Sequence, residues 1–186
     1  MQFKPNGILV SRLNRTVMDW ARERCGVAAV EFALVAAPFF FIIFGLMEIC
    51  LVFIMSTVLE HAVSDAAREI RTGQAQEAGI SQVDFRNSVC DKMFDLMSCD
   101  ANLHIDVKEL SSFSTADLSS PVDSSGNFDD SDFDFQPGGA NEIVAVRVFY
   151  EWGLVTPILS APLANLANGK HLIQATAVFR NEPFGD

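Results

Sequence analysis

The chain has 186 residues, 49% of them hydrophobic, and its 24 acidic against 13 basic side chains give a net charge of −11. That length holds one domain, or a membrane segment plus one small domain. The acidic balance argues against nucleic acid as a partner, because phosphate backbones are bound by clustered Lys and Arg.

Charge is unevenly placed. Residues 1–26 are polar and carry Lys4, Arg12, Arg15, Arg22 and Arg24 against Asp19 and Glu23, whereas the rest is strongly acidic. By the positive-inside rule the N-terminus stays cytoplasmic and the C-terminal part is exported. A cleavable secretory signal would have a short apolar core and an Ala-x-Ala exit. Here the apolar core is long, has no clear exit site and contains Glu31.

Residues 27–55 are predicted to form a membrane-spanning helix. Phe32 to Met47 contains no charge, Glu48 interrupts once, and Ile49 to Met55 is apolar again. About 20 such residues cross a bilayer. Glu31 is the odd feature, since an intramembrane carboxylate is usually functional or paired. A cut between Gly26 and Val27 would explain it. The new α-ammonium would head an apolar helix with Glu31 as its fifth residue, about one and a half turns along. Glu31 could then pair with the ammonium of its own or a neighbouring subunit, which would set the register of helices packed side by side. Pro38 should kink this helix. Phe39, Phe40, Phe41 and Phe44 read as lipid-facing or helix-packing residues, and Cys50 as a small buried hydrophobe. Glu48 is expected at the outer interface.

Residues 56–186 are predicted to form an exported α+β domain. Leu59, Ala62, Val63, Ala66, Ala67 and Ile70 recur at helical spacing, with polar residues on the other face. Gly73 reads as the stop. One helix from about Val27 to Thr72 would be roughly 70 Å long, half in the membrane and half as the spine of the domain. Ser81 to Met97 reads as a second helix, with Ser81 as N-cap, Asp84 in its first turn, and a face of Val83, Asn87, Val89, Cys90, Met93, Phe94 and Met97. Cys90 and Cys99 would face an oxidising compartment, which permits a disulfide worth roughly 2–3 kcal/mol in the chain-entropy model. The metal reading of that pair is weak, with only His104 nearby.

Three strands complete the α+β reading, as a small antiparallel sheet: Leu103 to Leu110, Glu142 to Trp152 and His171 to Arg180. In the second, Ile143, Ala145, Arg147, Phe149 and Glu151 would share one face, and Val144, Val146, Val148, Tyr150 and Trp152 the other. Residues 111–141 read as a flexible acidic loop. A calcium loop starting at Asp123 would place Phe128 where Gly is needed and Asp134 where Glu is needed, so a solvated loop is the better reading and no metal is expected. Phe128, Phe133 and Phe135 could anchor a partner or dock on the domain's own core. No phosphate loop, Gly-x-Ser-x-Gly, His-Glu-x-x-His or Cys-x-x-Cys is present. We therefore expect neither catalysis nor a cofactor.

The run Arg24-Cys-Gly26-Val-Ala-Ala-Val-Glu31-Phe32-Ala-Leu-Val-Ala-Ala-Pro38 resembles the TadE/TadG-type minor pseudopilins of tight-adherence (Flp/Tad) pili. Ala62 to Gly73, Val148 to Trp152 and Thr176 to Phe184 are similar to later segments of the same proteins. The resemblance implies a leader at residues 1–26, processing at Gly26 and Val27, and assembly contacts through Glu31 and Phe32. It implies as partners a prepilin peptidase, other minor pseudopilins, the Flp pilin and the inner-membrane platform, with membrane lipid around the helix. It implies a single-pass inner-membrane protein with a periplasmic domain, able to join the pilus. The contrasting reading is an uncleaved single-pass anchor whose acidic domain binds a ligand.

Overall fold

The structure is a computed structural model and describes residues 25–94, 96–99, 102–115, 119–156 and 161–185. The leader assigned to residues 1–26 lies outside these except for Cys25 and Gly26, as does Asp117. The chain divides into two compact units, Met1–Phe44 and Gly45–Asp186. The architecture is α+β. Helix α1 spans Cys25–Arg71, followed by α2 (Gln74–Ala78), α3 (Gln82–Asp91) and strands β1 (Leu103–Leu110), β2 (Ile143–Trp152) and β3 (His171–Arg180). The strands form an antiparallel sheet in the order β1-β2-β3.

α1 runs through Pro38 and shows two environments along its length. Up to Ile54 most of its large apolar side chains are exposed, with Ile43, Leu51 and Val52 half-buried, whereas Met55, Leu59, Ala62, Val63, Ala66, Ala67 and Ile70 are buried. Their spacing of three and four is one helical stripe. The helix stops at Gly73, whose φ of 83° favours glycine and where any Cβ would sit 2.4 Å from the Phe184 ring. Arg68 and Arg71 occupy the last turn, where cations suit the helix dipole. The chain's C-terminal segment returns here. Glu182 N donates to the Arg71 carbonyl at 2.8 Å, and the two side chains pair at 3.3 Å.

Helix α3 is shorter than its sequence pattern predicts. Ser81 caps it, and Asp84 completes a capping box by accepting from the Ser81 backbone. Those bonds from Ser81 hold the Asp84 carboxyl below its usual range. The helix ends at Asp91 rather than near Met97, and Phe94 takes a left-handed φ of 55°. The buried stripe is Phe85, Val89, Met93 and Met97, whereas Val83 and Phe94 are exposed. Ser88 of α3 and Lys92 at its C-terminal cap both donate to Glu69 of α1, at 3.0 and 2.8 Å.

The sheet alternates as its sequence does. Leu103, Ile105 and Val107 of β1, Val144, Val146, Val148 and Tyr150 of β2, and Ile173 and Ala175 of β3 join the α1 and α3 stripes in one core. On the opposite face Phe149, Leu172 and Leu166 form a second cluster, against which Val122, Phe128 and Phe133 pack. The acidic segment therefore docks its own phenylalanines. Phe133 stacks on Phe149 at 5.3 Å, while Phe135 reaches Phe85 of the main core at 5.7 Å. Its backbone also covers the outer edge of β1. Val107 N donates to the Asp134 carbonyl at 2.8 Å and Gln136 N to the Val107 carbonyl at 2.7 Å. β3 ends the sheet on the other side. There the Asn165 side chain accepts from Leu172 N at 2.6 Å and donates to the Leu172 carbonyl at 3.3 Å.

Two polar networks fix the acidic segment to the sheet. Asp106 and Arg147 are direct cross-strand partners. Asp106 is 1% exposed and Arg147 9%. Arg147 Nε and Nη2 donate to Asp106 Oδ2 at 3.0 and 2.6 Å. Arg147 Nη1 donates to the Ser119 carbonyl, and Asp134 N donates to Asp106 Oδ1, each at 3.0 Å. The second network centres on His104, 2.8 Å from Asp130 and 3.5 Å from Glu151. Burial pushes the Glu151 carboxyl up, but hydrogen bonds from Asn168 and Lys170 and the charges of Lys170 and His104 outweigh it, so the group lies below the usual range.

Removing one partner from a buried pair leaves the other charge uncompensated. Arg147→Met is therefore expected to lower stability by about 3–5 kcal/mol, and Asp106→Leu combined with it to recover most of that loss, measured by urea unfolding of the detergent-solubilised chain. Glu151 adds a pH dependence of known sign. Its carboxyl titrates lower folded than unfolded, so its contribution is complete above the ordinary glutamate value of about 4.3 and is lost as pH falls through the lower folded value. Glu151→Gln should flatten that part of the acid-unfolding curve and leave stability near pH 7 lower than wild type.

Candidate assembly site

The predicted processing and assembly residues all lie on the first turns of α1, the element that positions them. Val27 and Glu31 are four apart in a continuous helix, so they share a face, about 6 Å apart along the axis. Gly26 has open space where a Cβ would be. Glu31 is exposed, with no hydrogen-bond or ion-pair partner among the described residues. Phe32 is 71% exposed. The structure thus brings Gly26, Val27, Glu31 and Phe32 onto one accessible helix end.

The surface that follows is apolar all round. Val30, Leu34, Val35, Phe39, Phe40, Ile42 and Phe44 are exposed. Phe40 contacts Phe39 edge-on at 5.6 Å and stacks near Phe44 at 6.3 Å. Cys50, expected to be a buried hydrophobe, is instead exposed and free, since its side of the helix has no protein layer over it. α1 is long and apolar enough to cross a membrane. Chemically, such a helix offers lipid or a neighbouring helix a continuous dispersion surface, with one carboxylate near its start to accept an ammonium.

Cys90 and Cys99 form a disulfide, with Cα atoms 5.9 Å apart. It lies in Gly45–Asp186, well along the chain from the helix start, and closes the turn after α3. Arg86 grips the Cys99 carbonyl with two bonds, at 3.1 and 2.6 Å. No group of three or more His, Cys, Asp or Glu able to hold a metal occurs among the described residues. At the one calcium-like stretch, Ser125 N and Asn127 N both donate to Asp123 Oδ1 at 2.8 Å. The Asn127 bonds are the main cause holding that carboxyl below its usual range. The loop consumes its own carboxylate.

Sequence reasoning missed the partners of Glu48. Expected at the outer interface, Glu48 is 2% exposed within the protein. Its Oε1 accepts from Val155 N at 3.0 Å, and its Oε2 from Thr156 N at 2.9 Å and Thr156 Oγ1 at 2.8 Å. The signal was present: a lone carboxylate in an apolar run, with no base nearby, must find donors. That the donors lie 107 and 108 residues away was not readable.

Residues 26–68 match the family model described as TadE-like protein. That match takes in Gly26, Val27, Glu31, Phe32, Pro38, Glu48 and nearly all of the buried stripe of α1, but less than a quarter of the chain. No curated protein and no solved structure matches the chain. Over residues 26–68, from Gly26 into the buried stripe of α1, the chain is thus similar to TadE-like proteins.

Proposed function

We propose that this chain is a minor pseudopilin that serves assembly or priming of a Flp/Tad-type pilus, and so surface attachment. The observation that carries the proposal is the accessible carboxylate Glu31, one turn beyond Val27 on an exposed apolar helix, within the TadE-like segment. In this reading α1 inserts with its N-terminus cytoplasmic, and a prepilin peptidase cuts between Gly26 and Val27. The ammonium of Val27 then meets Glu31 of its own or an adjacent subunit. A carboxylate left alone in lipid is costly, so subunits are driven to the register that pairs it, and Phe32 packs beside that pair. The exported α+β domain, in the periplasm, meets the other minor pseudopilins, the Flp pilin and the inner-membrane platform. Nothing in this mechanism asks the chain to catalyse a reaction. Its role is as a substrate and a building part.

Intact mass and N-terminal sequencing of the membrane-extracted protein test this, in cells with and without the peptidase. The expected chain starts at Val27 only when the peptidase is present. A chain starting at Met1 in both would overturn the reading in favour of an uncleaved anchor. Glu31→Ala should still insert and be cut, yet fail to support pili. Normal piliation in that variant would remove Glu31 from assembly.

A further inference from the structure

We propose that the turn after β2, Gly153 to Thr156, is a second membrane contact, seated in the headgroup boundary on the exported side and held at that depth by Glu48. The proposal rests on the reading of α1 as a membrane span. It adds to that reading a lipid-facing surface contributed by the sheet domain itself.

The first support is the chemistry of Glu48. Both carboxylate oxygens are occupied by donors from Val155 and Thr156, and the side chain is out of contact with water. A carboxylate that has exchanged water for three donors tolerates a low-dielectric surrounding far better than a bare one. The same bonds fix the turn at the level of residue 48. Along a helix, Glu48 lies about 32 Å beyond Val27, close to the hydrocarbon thickness of about 30 Å. The turn is thereby tied to the point where acyl chains give way to headgroups.

The second support is that apolar exposure does not stop at Glu48. Ile49, Phe53 and Ile54 of α1 are exposed, and so is Val155, at 69%, whose backbone N–H donates to Glu48. The hydroxyls just beyond turn inward to the helix: Ser56 Oγ donates to the Val52 carbonyl and Thr57 Oγ1 to the Phe53 carbonyl, each at 2.9 Å. Such back-bonding is how hydroxyls are accommodated in lipid. The next exposed charge on α1 is Glu60. This band therefore carries apolar surface past the residues a span requires, and it has no unsatisfied hydroxyl.

The third support is charge. From Trp152 to Gly169 the sequence has no Asp, Glu, Lys, Arg or His, in a chain whose net charge is −11. An anionic bilayer repels acidic surface, and the segment tied to the helix at interfacial depth is the one stripped of it. Lipid rather than a protein groove is the occupant, because Val155 is exposed on a short uncharged turn bonded to the apolar helix at Glu48, and such a turn offers no concave face.

The test uses the full chain with Cys25→Ser and Cys50→Ser, reconstituted in phosphatidylethanolamine–phosphatidylglycerol vesicles. A spin label is placed at Val155→Cys, with Ile42→Cys as the span control and Thr176→Cys as the water control. Collision rates with oxygen and with a water-soluble nickel chelate report depth. The expected result is an oxygen-dominated label at Val155, with nickel accessibility several-fold below that at Thr176. Glu48→Ala should raise nickel accessibility at Val155 to the Thr176 level, with the Cys90–Cys99 disulfide intact as the check on folding. Thr156→Ala, which removes one bond of three, should give part of that rise. A water-like Val155 with a lipid-like Ile42 overturns the proposal and leaves the span standing. A water-like Ile42 overturns the span reading and the proposal with it. A Val155 label shielded from both reagents means a protein contact and also overturns it.

Discussion

The stripe from Met55 to Ile70 on α1 is the constraint on which the rest of the domain depends. Helical packing places seven apolar residues on one side of a rod, and nothing in the rod can cover them. Three strands and α3 do so, and the exclusion of water from that stripe fixes which residues of β1, β2 and β3 face inward. Register follows from this. A slip of one residue in β2 would carry Val144, Val146 and Val148 to the opposite face and bring Arg147 and Glu151 against the helix.

Two buried charged sites then pin the long connections. Asp106 and Arg147 hold Ser119 and Asp134, so both ends of the described acidic stretch are tied to the sheet centre. Glu48 holds Val155 and Thr156, so the connection leaving β2 is tied to the helix. Each site replaces the hydration of a charge by donors that only a folded chain can deliver. Connections that composition marks as loose thus acquire one geometry through a few charged hydrogen bonds rather than through wide apolar burial.

Much of the scaffold was legible because its signals are local. The 3.6-residue stripe of α1, the Gly73 stop, the Ser81 cap and the alternation in β2 are each written within a few residues of where they act. The TadE-like pattern at the start of α1 is local too, which is why Gly26, Val27, Glu31 and Phe32 stand out before any fold is known. What escaped depends on distance in the chain. α3 ends early because Phe94 turns into a left-handed conformation beside the Cys90–Cys99 bond, and a helical pattern continuing to Met97 conceals it. Val83 and Phe94 seemed inward and Phe85 was passed over, because a three-turn helix packs wherever its neighbours allow. Phe128 and Phe133 had two open fates. Phe149, some twenty residues away, decided for the domain's own second core. Cys50 was judged by residue type, whereas its exposure follows from the bare helix around it.

The sheet is finished differently at its two margins. Along β1, residues 134–136 occupy the outward N–H and carbonyl of Val107, and Gln82 donates to the Ile105 carbonyl. Along β3, Asn165 imitates a neighbouring strand at Leu172, and the following Gln174-Ala-Thr-Ala-Val178 run has no charge, proline or glycine to discourage pairing. In the proposed membrane-spanning reading, α1 would limit how such margins meet, since molecules held in one membrane by parallel helices could not turn freely to align two identical strands head to tail. Solubility of the domain would then be partly a property of its anchor: cut loose and concentrated, it would lose the orientational restraint that keeps one β3 from templating the next.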